Sequence, residues 1–186
     1  GEDVTAKAIN GLVVFIVLVA VLMALYFRTL KMAAAALAAL FHDLVVTAGI
    51  YGALGFEVTP AAVIGFLTIL GYSLYDTVVV FDKIRENTLE VEFSETTTFA
   101  SQVNLAINQT LVRSINTSVV AVLPVAAILF VGSTLLGAGT LRDISLALFI
   151  GMIAGTYSTI FIAAPVYSHL REREARFTKV SQPVSA

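Results

Sequence analysis

The chain has 186 residues, of which 58% are hydrophobic and 13% are charged, and its mean hydropathy is +0.92. A soluble domain of this size needs far more polar surface, so the composition predicts an integral membrane protein without a separate soluble domain. The net charge of −2 gives no information about a nucleic-acid partner, and since no basic block suggests one, we expect none. The chain has no cysteine, and its two histidines, His42 and His169, are far apart, so we expect no metal and no other cofactor.

Five stretches are long and apolar enough to cross a bilayer as helices, which requires about 20 residues each. They cover residues 8–27, 32–54, 60–82, 114–136 and 144–169. We therefore predict an all-α membrane protein, with a transmembrane domain over residues 1–170 and a charged tail over residues 171–186. Pro124 lies inside the fourth stretch, where we expect a bend.

A polar segment separates the third and fourth stretches but has a helical apolar pattern. Its apolar residues recur at spacings of three and four, at Phe99, Val103, Ala106, Ile107 and Leu111. This pattern predicts an amphipathic helix over about residues 94–113 on the cytoplasmic surface, which leads into the fourth span. The alternative is a loop in which the periodicity is accidental.

Basic residues are distributed unequally between the two ends of the predicted bundle. Only Lys7 and Arg142 fall on one side. The other side holds nine basic residues: Arg28, Lys31, Lys83, Arg85, Arg113, Arg171, Arg173, Arg176 and Lys179. The positive-inside rule then predicts a cytoplasmic C-terminus and an external N-terminus. Because no span precedes that external N-terminus, we expect an upstream span and an external region to be missing.

Asp76 lies within the third predicted span, about 10 Å before Lys83 along a helix. A carboxylate at this depth costs a few kcal/mol unless it is neutral, paired or hydrated. One interpretation is a proton carrier, because a carboxyl group that alternates between apolar surroundings and a nearby cation binds and releases a proton. The other is an acid held to a neighbouring helix by hydrogen bonds, without a functional cycle.

Arg113 is the candidate cation, because it lies at the start of the fourth span in the segment INQTLVRSINTS. The alternative is that its side chain extends to the lipid headgroups. Asn116 is one of several polar residues around it, and such groups line water paths or hold helices together.

Asp43 is a second acid within a predicted span, about 18 Å beyond Lys31. It is either a relay member or a packing partner of Tyr72 or Ser73, and the sequence does not decide between these. Gly151 and Gly155 form a GxxxG pair, which allows two helices to approach closely.

The segment GYSLYDTVVVFDKIREN at residues 71–87 resembles the SecF branch of the SecD/SecF family of protein-export membrane proteins. The resemblance includes FHD at residues 41–43, GFEVTPAAVIGFLTILGYS at 55–73 and INQTLVRSINTS at 107–118. This family belongs to the resistance–nodulation–division superfamily. Its SecF members have six spans, with an external domain between the first and the second span. The chain matches from just before the second span onward, so the resemblance implies one half of a pseudo-symmetric assembly with SecD.

The resemblance also implies a function, namely an accessory subunit of the Sec translocase that uses the proton motive force to promote preprotein export. The implied partners are SecD, the SecYEG translocon, preproteins, protons and the lipids of the bacterial inner or plasma membrane. The family aspartate and arginine match Asp76 and Arg113, the proposed proton-relay pair. Asp43, Thr77 and Asn116 are candidates for a secondary relay or for packing.

Two other functions remain open beside this one, and no enzymatic activity is expected in any case. The first is half of a proton-coupled exporter of lipid or drug, which a large apolar cavity between the spans would favour. The second is a passive membrane scaffold, in which Asp76 only holds helices together. One departure from the family pattern is Tyr75, where asparagine is frequent.

Overall fold

The computed structural model describes residues 2–89, 97–135 and 137–172. These residues form five helices that are long and apolar enough to cross a membrane, which confirms the predicted all-α membrane architecture. The helices are α1 (Glu2–Phe27), α2 (Leu30–Ala53), α3 (Pro60–Leu89), α4 (Phe99–Leu135) and α5 (Gly139–Arg171). The chain is therefore a multi-pass membrane protein.

Residues with restricted or unusual backbone geometry mark the turns between helices. Pro60 opens α3, where its missing N–H costs no helical hydrogen bond. Gly55 and Gly137 precede α3 and α5 with φ angles of +68° and +60°, which glycine adopts without strain. Arg28, between α1 and α2, has a φ of +50° although it is not glycine. A proline or a glycine thus suits the backbone geometry at three of these four positions, and Arg28 is the exception.

The α4 helix starts earlier than the predicted fourth span and includes most of the predicted amphipathic segment. Its N-cap is Thr98, whose hydroxyl accepts a hydrogen bond from the Ser101 N–H at 3.1 Å. The side chains of Phe99, Val103 and Ala106 are buried on one face, as the periodicity predicts. Residues 99–113 are the first turns of α4 rather than a separate helix, and their position at the cytoplasmic surface stays a prediction.

The helices α4 and α5 each contain one π turn among the described residues. In α4 a π turn at Ile128–Gly132 follows Pro124, whose ring removes one backbone donor. In α5 a π turn at Thr159–Ala163 interrupts the helix. Such turns occur often at functional sites, because the extra residue shifts the helix register locally. The bend predicted at Pro124 stays a prediction, and most of the predicted tail, residues 173–186, lies outside the described part of the chain.

The central helix of the bundle is α3, which packs against α2, α4 and α5. The buried residues of α1, namely Val19, Met23 and Phe27, all lie in its second half. Most of α1 is therefore exposed on the outside of the bundle. The buried acids Asp76 and Asp43 lie on α3 and on one of its three close neighbours, α2.

Two glycines make the contact between α3 and α5 unusually close. A Cβ atom added at Gly151 would lie 2.9 Å from the Cβ of Ile69, and one added at Gly65 would lie 2.6 Å from the Cβ of Ala147. Both distances are shorter than real Cβ contacts, so even alanine would force the helices apart. The close contact predicted for the Gly151 and Gly155 pair is therefore present.

We predict that Gly151→Ala destabilises the folded protein by about 1–3 kcal/mol, because overpacking at a closed interface costs that much. For a chain of this size the melting temperature in detergent should fall by several degrees, at roughly 2–4 °C per kcal/mol. The matched control is Gly71→Ala on α3, where an added Cβ has no atom within 4 Å. Equal melting temperatures for the two variants would contradict the proposed close packing.

Candidate functional site: an intramembrane carboxyl site

Asp76 points into the helix bundle, and its side chain is 8% exposed. Its Oδ1 atom accepts a hydrogen bond from the Ser114 hydroxyl of α4 at 2.9 Å. Its Oδ2 atom is buried and has no hydrogen-bond partner among the described residues. A buried polar atom without a partner is rare in proteins, so this oxygen is suited to carry a proton or to receive a donor. Asp76 therefore faces protein, not acyl chains.

The structure does not bring Arg113 into contact with Asp76. Because Arg113 precedes Ser114, its side chain leaves α4 about 100° away from the direction of Ser114. It is exposed, and within the described segments it forms no ion pair with Asp76. Its charge still lies within electrostatic range of the carboxyl group. The two predicted relay residues are neighbours across the α3–α4 contact, but they do not face one another in this conformation.

Asp43 is fully buried on α2, where its Oδ2 atom accepts a hydrogen bond from the Ser73 hydroxyl of α3. Ser73 is one of the two packing partners that the sequence suggests. The other, Tyr72, instead donates to the hydroxyl of Ser118 on α4, at 3.4 Å. A relay role for Asp43 stays a prediction.

Thr77 and Asn116 have different surroundings. The Thr77 hydroxyl is buried, donates to the Ser73 carbonyl at 3.0 Å and lies 3.1 Å from the Thr159 hydroxyl of α5. Asn116 is exposed on α4, two residues after Ser114 and therefore on another face. Tyr75, the departure from the family pattern, is 57% exposed and points away from the bundle.

Three polar residues on α3, namely Ser73, Asp76 and Thr77, form a buried stripe that we call the α3 polar stripe. Their spacing of three and four residues places them on one side of the helix. Each contacts a different neighbour, since Ser73 bonds to α2, Asp76 to α4 and Thr77 to α5. The stripe therefore connects the central helix to all three of its close neighbours, and a change at Asp76 acts directly on the α4 contact.

Two hydroxyl groups that complete these contacts, one on α4 and one on α5, were not among the predicted site residues. On α4 the missed residue is Ser114, which belongs to a four-residue repeat of buried hydroxyls with Thr110 and Ser118. That repeat marks the face of α4 that packs inward, and it was a signal available in the sequence. On α5 the missed residue is Thr159, which belongs to no such repeat.

The arrangement can bind and release a proton, because a buried carboxyl group with one hydroxyl donor has two reachable protonation states. Within residues 2–89, 97–135 and 137–172, no three His, Asp or Glu side chains are grouped closely enough to hold a metal ion.

Sequence comparison relates the chain to membrane proteins of protein export. The family profile described as "Protein export membrane protein SecD/SecF, C-terminal" matches residues 1–173. The protein translocase subunit SecF of Streptomyces coelicolor is 53% identical over 186 residues, which is 100% of this chain and 50% of that protein. SecF of Mycobacterium tuberculosis is 56% identical over 173 residues, which is 93% of this chain and 39% of that protein. The chain thus spans half or less of the length of these relatives.

A solved structure has the same fold. The crystal structure of SecDF, a translocon-associated membrane protein from Thermus thermophilus, matches with a TM-score of 0.70 and 38% sequence identity. The match covers 80% of this chain and 20% of that one. The family profile covers nearly the whole chain. The two SecF proteins resemble the chain in sequence, and the SecDF structure resembles it in fold. The chain therefore belongs to the SecD/SecF family of protein-export membrane proteins.

Proposed function

We propose that this chain is the proton-coupled membrane part of an accessory subunit of the Sec protein translocase. Its relatives are named protein translocase subunits, and the observation that carries the proposal is the buried Asp76 with one unpartnered oxygen. In this proposal the proton motive force drives cycles of protonation at Asp76, and each cycle promotes preprotein export.

The coupling follows from the position of Asp76 in the α3 polar stripe. When the carboxyl group is neutral, it stays buried against Ser114 at little cost. When it loses its proton, the charge favours water or the guanidinium group of Arg113, so α4 moves relative to α3. Ser73 and Thr77 keep α3 attached to α2 and α5 meanwhile. One proton crossing about 100 mV releases about 2.3 kcal/mol, which suffices to bias such a rearrangement.

The outward position of Arg113 supports a partner on that side of α4. An exposed arginine on a spanning helix is stable only where it reaches headgroups, water or another protein. We assign this side to SecD, which supplies the second half of the assembly, and we place SecYEG and preproteins as the further partners. The assembly lies in the bacterial inner or plasma membrane, with the C-terminus in the cytoplasm.

The exporter alternative has one observation in its favour. An apolar groove of about 600 Å³ lies between α4 and α5 and is lined by residues that include Leu111, Val119, Leu123, Ile153 and Phe161. Val119, Leu123, Ile153 and Phe161 are each more than half exposed, so the groove is an open face of this chain rather than a closed chamber. Binding of a lipid or drug-sized molecule to this face would support the exporter, and the family relationship favours the translocase.

We predict that Asp76→Asn abolishes the part of preprotein export that depends on the proton gradient. Asparagine keeps the hydrogen bond with Ser114 but cannot ionise, so the melting temperature should change by no more than roughly 3 °C. The measurement is preprotein export into membrane vesicles that contain the partner subunits, with and without an imposed gradient. If export at a fixed gradient is unchanged, Asp76 is not a proton carrier, and the scaffold function becomes the better account.

Ser114→Ala should lower gradient-dependent export about tenfold, because it removes the only described donor to the Asp76 carboxyl and about 1–3 kcal/mol of interaction. Ser118→Ala is the matched control, since Ser118 lies one turn further along the same face and bonds to Thr156 instead. The two variants should have similar stability and different export. Equal losses in both would show that α4 hydroxyls act in packing and not through Asp76.

Arg113→Lys should reduce export several-fold and Arg113→Gln should reduce it further, because lysine keeps the charge but loses the planar guanidinium group. Neither change should lower the melting temperature by more than a few degrees, because the side chain is exposed. Arg142→Gln, near the start of α5, is the control for loss of a basic residue elsewhere. Full export by Arg113→Gln would remove Arg113 from the relay.

A further inference from the structure

A second acid site lies on α2, where His42 and Asp43 are adjacent in sequence. The Nδ1 atom of His42 lies 3.5 Å from the Oδ1 atom of Asp43. Both atoms are buried, and neither has a hydrogen-bond partner among the described residues. The other carboxyl oxygen, Oδ2, is already bonded to Ser73. Two unpartnered polar atoms therefore face each other inside an apolar bundle.

One proton beyond that of the neutral imidazole removes the unfavourable negative charge from this pair. Without it, the carboxylate carries a buried negative charge, which is costly in a membrane even when the neutral imidazole donates its own Nδ1–H to the carboxylate. With a second proton, the pair carries a buried positive charge. With one proton, the pair is neutral overall and both atoms take part in one hydrogen bond, whether the proton resides on nitrogen or on oxygen.

The groups around the pair do not supply another charge. Ser73 faces it from α3, and Ser158 lies near it on α5, where the Ser158 hydroxyl donates to the Gly155 carbonyl at 3.1 Å. Tyr157 of α5 stacks on the His42 ring, with 6.4 Å between the ring centroids, and is the other titratable group beside the pair. No lysine or arginine of the described segments forms an ion pair with Asp43. The proton must therefore be held by the pair itself.

We propose that His42 and Asp43 share one proton and form a second protonation site of this membrane domain. The site is separate from Asp76 and Ser114, and it does not depend on the role proposed for Asp76. Ser73 and Asp76 lie about 60° apart around α3, so the two sites contact different neighbouring helices. Loss of the shared proton leaves a buried negative charge where α2, α3 and α5 meet, and so loosens that junction.

Two features of α5 fit a site whose packing responds to charge. Gly155 lets the helices meet here, since a Cβ atom at that position would lie 3.2 Å from the Ser73 hydroxyl and 3.6 Å from Asp43 Oδ2. The π turn of α5 begins at Thr159, directly after Ser158. Such turns are frequent at functional sites.

The test is nuclear magnetic resonance of the ¹⁵N-histidine-labelled chain in lipid nanodiscs, between about pH 5 and 8. A shared proton gives a strongly deshielded ¹H signal that is coupled to the Nδ1 atom of His42. We expect this signal in the parent chain and its loss in Asp43→Asn. We expect it to persist in Ser73→Ala, which removes the other hydrogen bond of the same carboxyl group. The signals of His169 serve as the internal reference in each sample.

Either of two results would overturn the proposal: absence of the deshielded proton in the parent chain, or its persistence in Asp43→Asn. If Asp43→Asn does not fold, His42→Asn tests the pair from the other side, with the ¹³C signal of the Asp43 carboxyl group as the readout, because the His42 side chain is 29% exposed and its replacement is better tolerated. A change of the Asp43 carboxyl signal between the parent chain and His42→Asn supports the shared proton, and an unchanged carboxyl signal overturns it. The signal should be unchanged in Asp76→Asn, so failure of the proposed export function leaves this proposal standing, and the reverse also holds.

Discussion

The hydrogen bonds of the α3 polar stripe are the interactions on which the rest of the bundle depends. The hydrocarbon of a membrane offers no water to a buried polar group, so each such group must find its partner inside the protein. Ser73, Asp76 and Thr77 find theirs on three different helices. The stripe thus fixes how α2, α4 and α5 are arranged around α3, and it makes that arrangement sensitive to one ionisable group.

Close packing makes these hydrogen bonds possible. The glycines at the α3–α5 contact allow the two backbones to approach until short serine and threonine side chains can reach across. In a membrane the helices gain little from the hydrophobic effect, so dispersion contacts and hydrogen bonds between them must supply the stability. Gly155 serves both purposes, because it permits the contact and leaves room for Asp43 beside Ser73.

The surroundings of the two acid sites differ, and each suits a different step of the proposed function. Asp76 has one hydroxyl donor and an arginine nearby on the outer side of α4, which suits a group that exchanges its proton as α4 moves. Asp43 is fully enclosed beside His42, which suits a group that keeps its proton until the junction of α2, α3 and α5 opens. Membership of the SecD/SecF family of protein-export membrane proteins is the reason that we propose protein export as the process these sites serve.

The sequence alone determined the five spans, because the bilayer thickness sets helix length and Pro60 sets the start of α3. It also determined that Asp76 and Asp43 needed compensation, because charge in hydrocarbon is costly wherever the helix points. Only the tertiary structure decided which groups supply it. The repeat of Thr110, Ser114 and Ser118 marks the inward face of α4, but it does not indicate that Ser114 is the residue that reaches Asp76. The rotation of α4 turned Arg113 outward while Ser114, one residue later, reached Asp76.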